Sequence, residues 1–339
     1  MHLKSISLAL GVVLTACGGG GGESTVPASG QTNNGNGAAT VLALESNNYV
    51  LASSEAVSSS LFVLETPSFA TGVESANVSE VIGFGLKQVP SLRSWFNGAS
   101  IATGVIQSVT EACTVSGTIS AVATDADNNG VLSAGDSVAL TASNCKENGS
   151  SIFNGAVTFN VVTLSGNLDS DFYNASLKLT FGNFSASTSA SGVVANGDIT
   201  FAVSARGVNV GSQTISSTNF AIAATYGAVT YNRSLSNFSA SVTTSPNLPT
   251  SAYKTTATVS GTIMSSALSG KTVTIATLVP FVRLSTNTYP SSGQGTLTGS
   301  NSAKVRFTTQ NSSLVLLELD STGDGIYETS TNKSWNELS

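Results

Sequence analysis

Between residues 125 and 136 the chain sets oxygen-bearing side chains on alternate positions. They are Asp125, Asp127 and Asn129, followed by Gly130, Val131, Ser133 and Asp136. Hard oxygen ligands wound around one tight loop are what a calcium ion takes, six to eight at a time. In that arrangement Asp125, Asp127 and Asn129 supply side-chain oxygens. Val131 offers its carbonyl, Ser133 a hydroxyl or a water, and Asp136 a closing carboxylate. Gly130 permits the sharp turn. The same residues also suit a polar β-turn built on Asn-Gly, so the sequence leaves calcium and a plain turn both open.

The pattern D-x-D-x-N-G with a later acid matches an EF-hand-type calcium loop, with one departure: Asp136 stands where a bidentate Glu is usual. The flanking residues read as strands, so a bound ion would be structural and would not open a helical groove. A thinner version lies at Asp320-Ser-Thr322-Gly-Asp324-Gly325-Ile326-Tyr327-Glu328. There Thr322 and Thr331 occupy positions where acids are normal, and a plain turn is the expectation.

Two cysteines bracket the first loop. Thr114 to Thr124 and Ser137 to Ser143 read as paired strands, and the midpoint of Cys113 and Cys145 falls at residue 129, inside the loop. A hairpin folded there brings the two cysteines face to face, about 4.5–5.5 Å apart at Cα. That is within bridging range, so a disulfide is expected.

The third cysteine has a different context. Lys4, the apolar run Ile6 to Leu14 and Leu14-Thr15-Ala16-Cys17 together form a secretory signal with a small-residue cleavage site. The run falls short of the roughly 20 apolar residues a membrane-spanning helix needs. The tetrapeptide resembles the lipobox of bacterial lipoproteins. That resemblance implies removal of residues 1–16, a diacylglycerol thioether on Cys17 and acylation of its new amine. Gly18, where an Asp would imply inner-membrane retention, points by the same resemblance to the outer membrane. Residues 17–39 are rich in Gly, Ser, Thr and Asn and read as a flexible tether with a reach of roughly 25 Å.

Composition narrows the chemistry. The only histidine, His2, leaves with the signal. A chain without imidazole has no Ser-His-Asp or Cys-His nucleophile and no His-ligated metal. A carboxylate pair, a Ser-Lys dyad or a calcium-assisted site remain. Charged residues make up 9% of the chain and the net charge is −6. Nucleic-acid binding needs a basic patch to displace counterions, so no nucleic-acid partner is expected.

The positioning elements follow from periodicity. Val50, Val57, Leu61 and Leu64 recur at helical spacing over 47–66, with Asn47 or Asn48 as cap and Pro67 after the end. Val78, Ile82, Leu86 and Val89 suggest a weaker second helix before Pro90. From Thr114 onward the period becomes two. Val157, Phe159 and Val161, then Leu177, Leu179 and Phe181, then Ile199, Phe201 and Val203 alternate with polar neighbours. One apolar and one Ser/Thr face, repeated over some 200 residues, describes antiparallel strands packed on one side and wet on the other. The same alternation suits a membrane barrel, but aromatic residues total 7%, thin for the two girdles such barrels carry. Asn-Phe recurs at 183, 219 and 237, either as a marker of strands returning every 18 residues or as coincidence.

Together these features, the lipobox, Gly-rich tether, Cys-bounded hairpin and long Ser/Thr meander ending in Gly-Asp-Gly and Trp335, resemble a family of uncharacterised proteobacterial lipoproteins. The resemblance implies no activity. The expected architecture is mainly β: a large antiparallel sheet, curved half-barrel or sandwich, over 113–339, after a helical segment over 40–112. The expected role is an outer-membrane-anchored structural or interaction module with an unidentified protein or apolar ligand as partner. A carrier of lipids in a concave half-barrel is the alternative, and a carboxylate-dependent hydrolase the least favoured reading.

Overall fold

The computed structural model describes residues 40–64, 107–147, 150–166, 171–207, 210–247 and 252–338. The signal segment, Cys17, the tether and the second expected helix lie outside the described residues.

Fourteen strands follow one another along the chain. They are β1 (Gln107–Ala112), β2 (Ser116–Thr124), β3 (Ser137–Lys146), β4 (Ile152–Gly166), β5 (Phe172–Ser187), β6 (Ser191–Gly207), β7 (Val210–Tyr226), β8 (Val229–Pro246), β9 (Tyr253–Ser265), β10 (Lys271–Leu284), β11 (Ser292–Thr298), β12 (Lys304–Thr309), β13 (Leu314–Asp320) and β14 (Thr329–Ser334). Each pairs antiparallel with the next, in one sheet whose order is the order of the chain. β1 and β14 are its two ends and do not pair with each other. The sheet starts at Gln107, six residues ahead of the boundary read from the cysteine. The alternation that predicted strands also sorts the two faces. Val157 and Phe159, Leu179 and Ile199, and Leu235 and Ile263 are buried. On the other face hydroxyls pair across strands, as in Thr214 with Ser241 at 3.1 Å and Thr225 with Thr230 at 3.0 Å. Arg306 and Glu318 make a two-point ion pair there.

The strands β4–β8 hold 15 to 18 residues, about three times the usual length. They accommodate bending through bulges, and here the Asn-Phe repeat finds its meaning. On β5, Leu179 and Phe181 are buried, Gly182 and Asn183 both face solvent, and Phe184 and Ala186 are buried again. One extra residue flips the parity of the strand. The same step occurs at Ser143-Asn144-Cys145 on β3, Thr218-Asn219-Phe220 on β7 and Ser236-Asn237-Phe238 on β8. Asn144, Asn183 and Asn237 take positive φ of 48°, 50° and 48°, which Asn tolerates better than most residues. Side chains of the next strand satisfy the freed N–H groups. Asn144 donates to Asn154 Oδ1 and Asn183 to Asn196 Oδ1, both at 2.8 Å. Gly197 sits opposite one bulge at φ 96°, where any Cβ would collide with the Asn219 carbonyl oxygen.

One helix covers part of the apolar face. Helix α1 runs Tyr49–Leu64, close to the predicted span; of the expected stripe Val57 is buried and Val50 is not, while the side chains of Leu61 and Leu64 lie outside the described residues. Tyr49, Ala52, Ser53, Ala56, Ser59 and Ser60 are buried, with Val57 beside them, while Val50 is only half-buried. Small residues allow a close approach to the sheet. Of the two expected caps, Asn48 stands at the helix start. The Asn48 side chain accepts from Glu45 N at 2.9 Å and donates to Ala43 O, folding backward while its carbonyl starts the helix. Ahead of α1, residues 40–42 run parallel to the start of β10. Leu42 N donates to Thr272 O at 2.9 Å and Thr272 N to Thr40 O at 3.0 Å. A four-residue helix, α2 (Trp335–Leu338), ends the described chain.

Candidate metal centres

The first acidic loop joins β2 to β3. Asp125 directly follows β2 and is 5% exposed, and Asp136 is fully buried. Gly130 N donates to Asp125 Oδ2 at 2.7 Å, and Val131 N to Asn129 Oδ1 at 2.6 Å. Asp136 closes the loop by accepting from Ala126 N at 2.9 Å and Ser133 N at 2.6 Å. The Ser133 hydroxyl lies 3.2 Å from both Asp127 and Asp136. One carboxylate oxygen each from Asp125, Asp127 and Asp136 falls within 4.8 Å of the others. Asn129 turns its amide nitrogen to Asp127 Oδ2 at 2.7 Å. Val131 is exposed at the tip.

Burial pushes the Asp125 carboxyl up, but the N–H of Gly130, the Asp127 side chain and the N–H groups of Asn128 and Asn129 outweigh it. Its pKa ends below the ordinary Asp value. The group is therefore ionised at neutral pH, the form a metal ligand needs.

The second loop, between β13 and β14, repeats the arrangement more closely than its sequence advertises. Asp320 is buried and accepts from Gly323 N at 2.7 Å and Gly325 N at 2.9 Å. Ile326 N donates to Asp324 Oδ1 at 2.8 Å. Glu328 bends back to take Ser321 N at 3.0 Å. Asp320, Asp324 and Glu328 each bring an oxygen within 4.8 Å of the others. Burial raises the Asp320 pKa, and the N–H groups of Gly325, Gly323, Asp324 and Thr322 lower it further, leaving it depressed. Sequence spacing missed Glu328 as a contributor. It stands at loop position nine, where EF-hand-type loops usually reach the ion through water, whereas positions three and twelve, where acids are normal, hold Thr322 and Thr331.

Both donor sets consist of oxygen alone, hard and anionic, which fits calcium and not a thiolate- or imidazole-seeking ion. Cys113 and Cys145 form a disulfide with Cα atoms 5.5 Å apart. Cys113 lies in the β1–β2 turn, held by its N–H to Gly117 O at 3.0 Å, and Cys145 is the buried residue after the β3 bulge. The bridge therefore ties the hairpin at the end opposite its acidic loop. Because successive strands alternate in direction, the two acidic loops open at opposite ends of the sheet. The second shares its end with residues 40–42. No protein-family model, curated protein or solved structure matches this chain.

Proposed function

We propose that this chain is a lipid-anchored structural or interaction module of an outer membrane, and that its two Asp-Gly hairpin loops take calcium as a structural ion. The observation that carries the reading is the commitment of the acids. Asp125, Asp136 and Asp320 spend their carboxylate oxygens on backbone N–H groups of their own loops. In Asp125 and Asp320 these bonds outweigh burial and favour the ionised form, which suits a cation and not the protonated member of a hydrolytic acid pair. Asp125, Asp127, Asn129, Ser133 and Asp136 would hold one ion, with Val131 lending its carbonyl. Asp320, Asp324 and Glu328 would hold the other. Calcium bound there would cross-link each turn through its oxygens. The anchor rests on the lipobox-like residues ending at Cys17.

A second reading, a carrier of apolar ligands, draws on one feature. Leu177 and Phe201 face each other across β5 and β6 on the inward side and are only half-buried.

Native mass spectrometry of the full chain, purified from membranes, separates these readings. The expected species starts at an acylated Cys17 and carries calcium that a chelator removes. Calcium should also raise the melting midpoint, by about 2.7 kcal/mol of stability at a hundredfold excess over Kd. An unacylated N-terminus would overturn the anchor. Identical midpoints with calcium and with chelator would overturn the ion. Co-purifying lipid in stoichiometric amount would move the assignment to a carrier.

A further inference from the structure

The buried stripe of α1 is unusual for a helix on a sheet. Ala52, Ser53, Ala56, Ser59 and Ser60 are each at most 7% exposed, and up to residue 60 only Tyr49 and Val57 add large apolar side chains to the buried face. Ser53 and Ser60 turn their hydroxyls back to Tyr49 O and Ala56 O. Ser59 is 0% exposed and its hydroxyl has no hydrogen-bond partner. A buried, unsatisfied hydroxyl in the middle of the stripe penalises the docked helix, because undocking would hydrate it. The strands that α1 contacts, β8, β9 and β10, carry the opposite chemistry. Leu235, Ile263 and Val273 form one inward-facing row across β8, β9 and β10, all at most 3% exposed. Two polar contacts tie the helix sideways among the described residues: Glu55 to Arg233 on β8 at 2.7 Å, and the Ser54 hydroxyl to Leu338 O at 3.3 Å.

The chain just ahead of the helix is held in another way. Leu42 and Leu44 are buried, and residues 40–42 make backbone bonds to Thr272 and Ser300. Between the two stretches, Glu45, Ser46 and Asn47 are exposed.

From this contrast we infer that α1 is a displaceable cover. It swings away from the sheet about residues 45–48 while residues 40–44 stay pinned to β10. The row Leu235–Ile263–Val273 is uncovered when it lifts, and the Glu55–Arg233 ion pair is the latch. The inference stands apart from the calcium and anchor readings, since neither residue set is involved.

Hydrogen exchange on the wild-type full chain tests it, since local opening releases amides at its own free energy, below that of global unfolding. Amides of residues 53–60 should exchange at least roughly tenfold faster than those of β9 and β13, with Leu42 and Thr272 as slow as the sheet. Arg233→Ala should speed exchange in α1 and leave β13 unchanged. One common rate for α1 and the sheet would overturn the cover. So would an Arg233→Ala variant that speeds both alike or neither. Loss of protection at Leu42 in step with α1 would overturn the hinge.

Discussion

The two acidic loops share a core and differ in how they are closed. In each, a buried Asp ends or directly follows the strand, the N–H of a Gly five residues on binds its Oδ2, and the residue after that Gly points an apolar side chain at solvent. The first loop is shut by Asp136, from the foot of β3, gripping both flanks of the turn. The second is shut early, by Glu328, and leans on its neighbours instead. A Cβ on Gly323 would lie 2.6 Å from Asn301 O, so that loop is packed against the β11–β12 turn. An Asp-x-x-x-x-Gly start thus fixes the turn, while the closing acid can come from different positions. The loops also draw on different outside support: a disulfide at the far end of one hairpin, a neighbouring turn beside the other.

The disulfide offers the largest way to break this comparison. Replacing both Cys113 and Cys145 by Ser frees 32 residues of separation and should cost about 3–4 kcal/mol by chain entropy, read from urea unfolding. Exchange protection should fall across β2 and β3 and hold at β13. Equal loss at both hairpins would show the loops to be one cooperative unit.

Glycine substitutions sharpen it. Gly130 and Gly325 have φ of 71° and 90° and open space around their Cβ positions, so Ala at either should cost about 1 kcal/mol of backbone strain. Gly323→Ala adds a collision and should cost more than Gly325→Ala. Thermal melts of the three variants would rank them, and a Gly323→Ala no worse than Gly325→Ala would remove the neighbouring turn as a support.

The smallest effect is in pH. Asp125 and Asp320 both have depressed folded pKa values. Their contribution is complete above the unfolded Asp value, about 3.9, and is lost as pH falls through the folded ones. Glu337 behaves likewise. Ser334 N–H, Lys333 and the Ser334 hydroxyl hold it at about 2. Melting midpoints should therefore drop between about pH 4 and pH 2. Asp125→Asn and Asp320→Asn should each flatten that slope by similar amounts. A flattening confined to one variant would mean that the shared core carries different electrostatic weight in the two loops.

Much of the sheet was legible because one wet face forces strict alternation over long strands. The bulges were visible only as a repeated Asn-Phe. A parity flip reads as broken alternation, and nothing in Asn183-Phe184 alone says that Gly182 and Asn183 both point outward. The helix span was legible, but not its inward face. Hydrophobic periodicity found Val57, which is buried, but it also weighted the half-buried Val50 and passed over Ala52, Ser53 and Ala56. In the first loop the clustering of Asp125, Asp127 and Asp136 followed from spacing. In the second, Glu328 did not, because it acts by bending back across the turn.

The parallel bridge between Val41 and Thr272 has a consequence for the order of assembly. Neighbouring strands contact one another along the chain, so the meander is free to zip hairpin by hairpin, each step closing a short loop. Residue 41 has no partner until β10 exists, 231 positions later. The first described part of the chain to be synthesised therefore waits for its seat until β10 has formed.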